Sequence, residues 1–169
     1  MLEENVLMGG AHIINLSIPG REKNLELKNL VLDLNGTLSV DGILVEGVES
    51  RIDLLKKDLE IYLLTSDTLG CGSTIAEELG ITVFKVGSEQ GGQDKLDFLN
   101  TVGPEETIVI GNGFNDRLVL EHAALSIAVI GGEGCCVQAL QQADIVVKDI
   151  LAALDLLFKP LRIVATLRD

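Results

Sequence analysis

Residues 30–38 read Leu30-Val-Leu-Asp-Leu-Asn-Gly-Thr-Leu38, and the fold is decided by how this stretch is read. The apolar run Leu30–Leu32 delivers one carboxylate, Asp33, and the Asn35-Gly-Thr37 turn then bends the chain away. A short buried strand that ends in an acid and a tight turn is how α/β folds bring a reactive group to the carboxyl edge of a sheet. The bland alternative is a strand-ending Asp whose side chain satisfies turn amides. Two more strands end in the same way. Ile61–Leu64 runs into Thr65-Ser66-Asp67, and Thr107–Ile110 runs into Gly111-Asn-Gly-Phe-Asn-Asp116.

Outward from these edges the chain alternates strand and helix. Asn24–Asn29 and the alternating stretch 12–18 flank Pro19-Gly20 and predict a hairpin over about 12–29, placed to extend or cover a sheet edge. Val40–Val45 predicts a smaller hairpin that turns at Asp41-Gly42. Val48, Ile52, Leu55 and Leu59 recur at helical spacing. Further helices are expected over Gly72–Leu79, Gln93–Asn100, a segment ending at Ala123, Cys135–Gln142 and Asp149–Phe158. Strands are expected over Ile81–Val86, Leu125–Ile130 and Asp144–Val147. The first turn of the helix at 93 is expected to contain Lys95, a cation set against the helix dipole and so drawn by some other attraction. The alternation predicts a doubly wound α/β fold with a parallel sheet, as one core domain over residues 1–169.

Composition narrows the function classes. A net charge of −13 opposes nucleic acid and anionic membranes as partners. The apolar runs are of strand length, far short of the ~18 or more residues a bilayer span needs. The acidic start, Met1-Leu-Glu-Glu-Asn5, has no signal-peptide pattern, and the three cysteines have no framework spacing, so a cytoplasmic protein is expected. His12, His122 and Cys71 have no partners at ligand spacing, and Gly131–Gly134 lacks the Lys-Ser/Thr ending of a P-loop.

A carboxylate nucleophile, a hydroxyl, a lysine and a second acid form a set suited to phosphoryl transfer. On these residues the chain resembles the haloacid dehalogenase superfamily over nearly all of 25–168. Asp33-Leu-Asn-Gly-Thr-Leu38 resembles its first motif, Thr65 the second, Lys95 in Gly92-Gln-Asp-Lys95 the third, and Gly111–Asp116 the fourth. The stretch from Gly111 through 125–130 to 143–147 is especially similar to the phosphorylation domain of P-type ATPases.

The resemblance implies that Asp33 accepts a phosphoryl group while Thr65 and Lys95 hold its oxygens. Asn35, Gly36, Thr37, Ser66 and Asn115 would border the substrate. Mg2+ would be held by Asp33, the Asn35 carbonyl and Asn112, with Asp116 in the same set. Lys85 is the alternative to Lys95, and the Gly-x-x-Lys context favours Lys95. Two positions depart from the superfamily's phosphatases. Asn35 replaces the Asp that exchanges protons with leaving group and water, and Asn112 replaces a charged ligand. Slow turnover and weaker metal binding are expected.

The motifs lie too close together for a cap domain. An open site implies a phosphorylated small molecule or a phosphoprotein as partner, and a homo-oligomer to exclude water. The competing expectations are a catalytically weakened binding or regulatory module on the same fold, and a capless phosphatase acting on a small molecule such as a sugar acid.

Overall fold

The computed structural model describes residues 13–67 and 70–169. His12 and the Gly9-Gly10 pair lie outside the described residues. A hairpin of β1 (Ile14–Leu16) and β2 (Leu25–Leu27) leads into β3 (Asn29–Asp33). A second hairpin, β4 (Ser39–Val40) and β5 (Ile43–Leu44), turns at Asp41 and Gly42, both with positive φ. This is the geometry Asp-Gly favours in a two-residue hairpin loop. Then follow α1 (Val48–Leu55), β6 (Glu60–Thr65), α2 (Gly72–Leu79), β7 (Thr82–Lys85) and α3 (Gly91–Val102). The chain continues with β8 (Thr107–Gly111), α4 (Arg117–His122), β9 (Leu125–Val129), α5 (Val137–Leu140), β10 (Ile145–Val147), α6 (Ile150–Phe158) and α7 (Pro160–Leu167).

Six strands form one parallel sheet in the order β10-β9-β8-β3-β6-β7, with helices on its two faces. The strand order reverses between β3 and β8, so a crevice opens beyond their carboxyl ends. Strand β3 is buried throughout and alternates its faces. Leu30 and Leu32 join the core packed with α1, α2 and α6, while Val31 joins the smaller core with Leu99 of α3 and Val119 and Leu120 of α4. Period-two alternation therefore puts Asp33 on the face of Val31, the one covered by α3.

The structure corrects two sequence expectations and adds a helix. The first hairpin does not extend the large sheet: it forms its own two-stranded sheet, and the chain passes from it into the central strand β3. Lys28 stitches the junction, donating its N–H to Glu106 O at 2.8 Å and accepting from Glu60 N at 2.9 Å. Helix α3 begins at Gly91, two residues earlier than periodicity suggests, because Gly91 and Gly92 are taken into its first turn. Lys95 thus lies beyond that turn. Helix α7 was not foreseen; Pro160 starts it and Ile163 is buried beneath it.

Candidate active site

The turn after Asp33 is pinned by its own backbone. Thr37 N and Ser39 N both donate to Leu34 O, at 3.1 and 3.0 Å, and Gly36 N donates to Ser39 O at 2.9 Å. Gly36 has φ +79 and packs on the Asn112 amide, so a side chain there would be both strained and obstructed. This close approach brings the ends of β3 and β8 together.

At their meeting point Lys95, 1% exposed, places its ammonium 2.6 Å from Asp33 Oδ1 and 2.6 Å from Asp116 Oδ1. One cation shared by two buried carboxylates cannot neutralise both. Burial pushes the Asp33 carboxyl up to about 6, Asp116 pushes in the same direction, and Lys95 opposes them. For Lys95 burial lowers the pKa, but Asp116 and Asp33 outweigh it and hold the ammonium charged. The attraction that draws Lys95 inward is thus this pair of acids. Lys85, the sequence alternative, ends β7 as the register partner of Thr65 and pairs with Asp67 at 2.9 Å.

Asp116 also organises the β8 turn. Its Oδ2 accepts from Asn112 N at 3.0 Å and Gly113 N at 2.8 Å. Asn112 donates from Nδ2 to Gly134 O at 3.0 Å, which turns its Oδ1 toward the site, where Thr37 Oγ1 lies 3.1 Å away. The same hydroxyl is 3.4 Å from Asp33 Oδ2. Its single proton favours the shorter bond. Asn35 Oδ1 is buried without a hydrogen-bond partner, a costly state for a buried acceptor.

Thr65 follows Leu64, the register partner of Asp33, and is 1% exposed. Its Oγ1 accepts from Asp67 N at 2.9 Å, so it does fasten the strand-end turn, and its own proton is left for another acceptor. Thr65 makes no hydrogen bond to Asp33 among the described residues. Ser66 and Asn115, next in sequence to Thr65 and Asp116, line a cavity of about 410 Å3 beside the Asp33–Lys95–Asp116 triad, together with Gly91, Gly92, Phe114 and Arg117. Sequence reading did not single out Arg117 or Phe114; the available signal was an arginine directly after Asp116.

The carboxylate of Asp33, the backbone carbonyl of Asn35 and the amide oxygen of Asn112 are hard donors that fit Mg2+, and two buried acids around the single ammonium of Lys95 leave excess negative charge that suits a cation; the unpaired Asn35 Oδ1 belongs to the side chain and is a separate acceptor. Both Asp116 oxygens are engaged by Lys95 and the turn amides. Asp33 also bonds Lys95, and the Asn112 side chain bonds Thr37 and Gly134 O. Among the described residues no group of three or more His, Cys, Asp or Glu side chains is placed to cage a metal.

No family model matches the chain. The protein MJ0073 of Methanocaldococcus jannaschii is 48% identical over 87 residues, 94% of that protein and 50% of this chain. The chain belongs to the same family as MJ0073. The copper-transporting ATPase of Saccharomyces cerevisiae is 31% identical to this MJ0073 relative over 98 residues, 56% of the chain and 10% of the transporter. A haloacid dehalogenase family hydrolase of Streptomyces avermitilis superposes with a TM-score of 0.60 at 20% identity, covering 78% of this chain and 80% of its own. The 3-deoxy-D-manno-octulosonate 8-phosphate phosphatase of Moraxella catarrhalis, in complex with magnesium ion, phosphate ion and KDO, gives 0.63 at 18% identity over 79% of this chain and 86% of that one. The catalytic domain of the CPx-ATPase CopB-B gives 0.55 at 24% identity over 68% and 46%. The fold of this MJ0073 relative is the haloacid dehalogenase fold, as its four motifs imply. No helix of the described residues is long and apolar enough to cross a membrane.

Proposed function

We propose that the protein is a phosphohydrolase or phosphotransferase in which Asp33 becomes an aspartyl phosphate. The observation that carries this reading is the buried meeting of Asp33, Lys95 and Asp116 at the reversal of strand order. Ionised Asp33 attacks phosphorus, forming an oxygen–phosphorus bond as the bond to the leaving oxygen breaks. Lys95 offsets charge on the transferring group, and Asp116 keeps its ammonium in place. The free proton of Thr65 is available to a phosphoryl oxygen. When bound, Mg2+ would be held by Asp33, Asn35 and Asn112 and would offset phosphate charge.

Asn35 can neither give a proton to the leaving group nor take one from water. Substrates with good leaving groups are favoured, and the phosphoenzyme is hydrolysed slowly. Phosphorylated small molecules and phosphoproteins can both reach an uncapped site, and a second copy of the chain is the proposed means of excluding water. The free thiols Cys71, Cys135 and Cys136 suit a reducing cytoplasm.

The test uses freshly prepared protein, checked by intact mass because Asn35-Gly36 and Asn112-Gly113 are prone to deamidation. It is incubated with a small phosphoryl donor and Mg2+ while phosphate release and covalent phosphate at Asp33 are followed. Wild type is expected to gain phosphate at Asp33, Asp33→Asn to gain none, and Asn35→Asp to release phosphate at least about tenfold faster. Folded protein that is never labelled, in wild type or Asn35→Asp, makes this a binding module instead.

A further inference from the structure

The cavity beside the triad is bounded by the start of α3 and by the segment after β8, and Arg117 stands in its wall. The Arg117 guanidinium lies 4.2 Å from the centroid of the Phe114 ring. Phe114 is 56% exposed, so the stacked pair faces the opening rather than the core. Among the described residues Arg117 forms no ion pair. Two further cations at this end of the sheet already have acidic partners: Lys95 is committed to two aspartates, and Lys85, at the end of β7, pairs with Asp67. An arginine stacked on an aromatic ring is held in place with its donors still available.

The opposite wall is the start of a helix, where the Asp94 carboxylate is taken up by Gly87 N at 2.7 Å. Helix α3 opens with Gly91 and Gly92, and its N-cap residue, Gln90, makes no side-chain capping bond. First-turn N–H groups without side-chain caps attract negative charge. Gly91 and Lys95 are four residues apart and share a helix face, and helical side chains lean toward the N-terminus. The cavity therefore begins about 6 Å along the helix from the residue that meets Asp33. Glu89 is the acidic side chain of this lining and is exposed at the rim.

We propose that this cavity is a specificity subsite for a second anionic group, carboxylate or phosphate, on the non-reacting end of the substrate, with Arg117 as its principal recognition residue. This rests on the phosphoryl-transfer reading of Asp33 and extends it to a substrate class: small phosphomonoesters whose second anion is separated from the ester by a short carbon chain. A protein of net charge −13 gains most from such a local cation, since its overall field repels these ligands.

The test compares 3-phosphoglycerate, propane-1,3-diol bisphosphate and glycerol 3-phosphate, which carry a carboxylate, a second phosphate and only hydroxyls. Steady-state hydrolysis is measured with Mg2+, and binding to the full-length Asp33→Asn protein is measured by calorimetry. At least one doubly anionic ligand is expected to exceed glycerol 3-phosphate by about tenfold in kcat/KM and in affinity. Whichever leads identifies carboxylate or phosphate as the preferred group. The ratio should fall toward one in Arg117→Gln, stay partly intact in Arg117→Lys, and rise in Glu89→Gln. A wild-type ratio near one in both measurements, or a ratio unchanged by Arg117→Gln, overturns the subsite. If no ester is turned over and Asp33 is never labelled, the enzymatic reading fails, while the calorimetric ratio still decides whether Arg117 selects a second anion.

Discussion

The ordinary carboxyl value of 3.8 rises to about 6 at Asp33, chiefly through burial and then through Asp116, despite contact with Lys95. The native state therefore binds this proton more tightly than the unfolded chain. In metal-free protein the contribution of Asp33 to stability is fully present below about pH 4 and is lost as pH rises through about 6. In the proposed mechanism reactivity follows the opposite course, because only the ionised form of Asp33 would attack phosphorus. Single-turnover labelling is expected to rise severalfold between about pH 5 and 7, with a midpoint near 6 at low Mg2+ that moves lower as Mg2+ is added. A flat profile over this range would show that Asp33 is already ionised below it.

At the scale of elements, the neutral residue at 112 belongs to a joint between two turns. Its amide donates to Gly134 O, and Cys136 N donates to Asn112 O at 2.8 Å, so the β8 turn and the loop after β9 are tied at two points. That loop in turn meets the small hairpin, where Asp41 N donates to Glu133 Oε1 at 2.8 Å. Restoring an acid by Asn112→Asp would set a carboxylate oxygen against a carbonyl. Loss of about 1–2 kcal/mol is expected in urea unfolding of metal-free protein at neutral pH, with part regained in excess Mg2+. Unchanged stability would mean that the loop re-forms without the Asn112 amide. The sequence showed an Asn where the superfamily's phosphatases have Asp. It did not show the carbonyl that makes Asn the fitting residue, because Gly134 is distant in the chain and contributes only backbone.

For the whole molecule, a charge of −13 sets the long-range field that an anionic substrate meets. Screening shortens that field from about 30 Å at 0.01 M salt to about 8 Å at 0.15 M, while attractions within the crevice are screened less. KM for a phosphomonoester is expected to fall about two- to threefold over that range at fixed free Mg2+. A KM that rises with salt would show that the local field of Arg117 and Lys95 governs capture.

Much of this architecture is legible in the sequence alone. The apolar runs ending at Leu32, Leu64 and Ile110, with their polar turns, determined the parallel α/β architecture and the end of the sheet that carries polar chemistry. They could do so because strand burial and turn chemistry are local properties of the chain. Asp33 was singled out by these local signals and Lys95 by its Gly-x-x-Lys context and an expected first-turn place that the structure shifts; the contact between them is the structure's own finding. Tertiary structure alone decided that Lys95 serves two carboxylates, that Asn112 answers a backbone carbonyl, that the first hairpin stands apart from the main sheet, and that Arg117 faces a cavity. Each of these depends on atoms far apart in sequence, brought together by a strand order that the periodicity of any one segment does not encode.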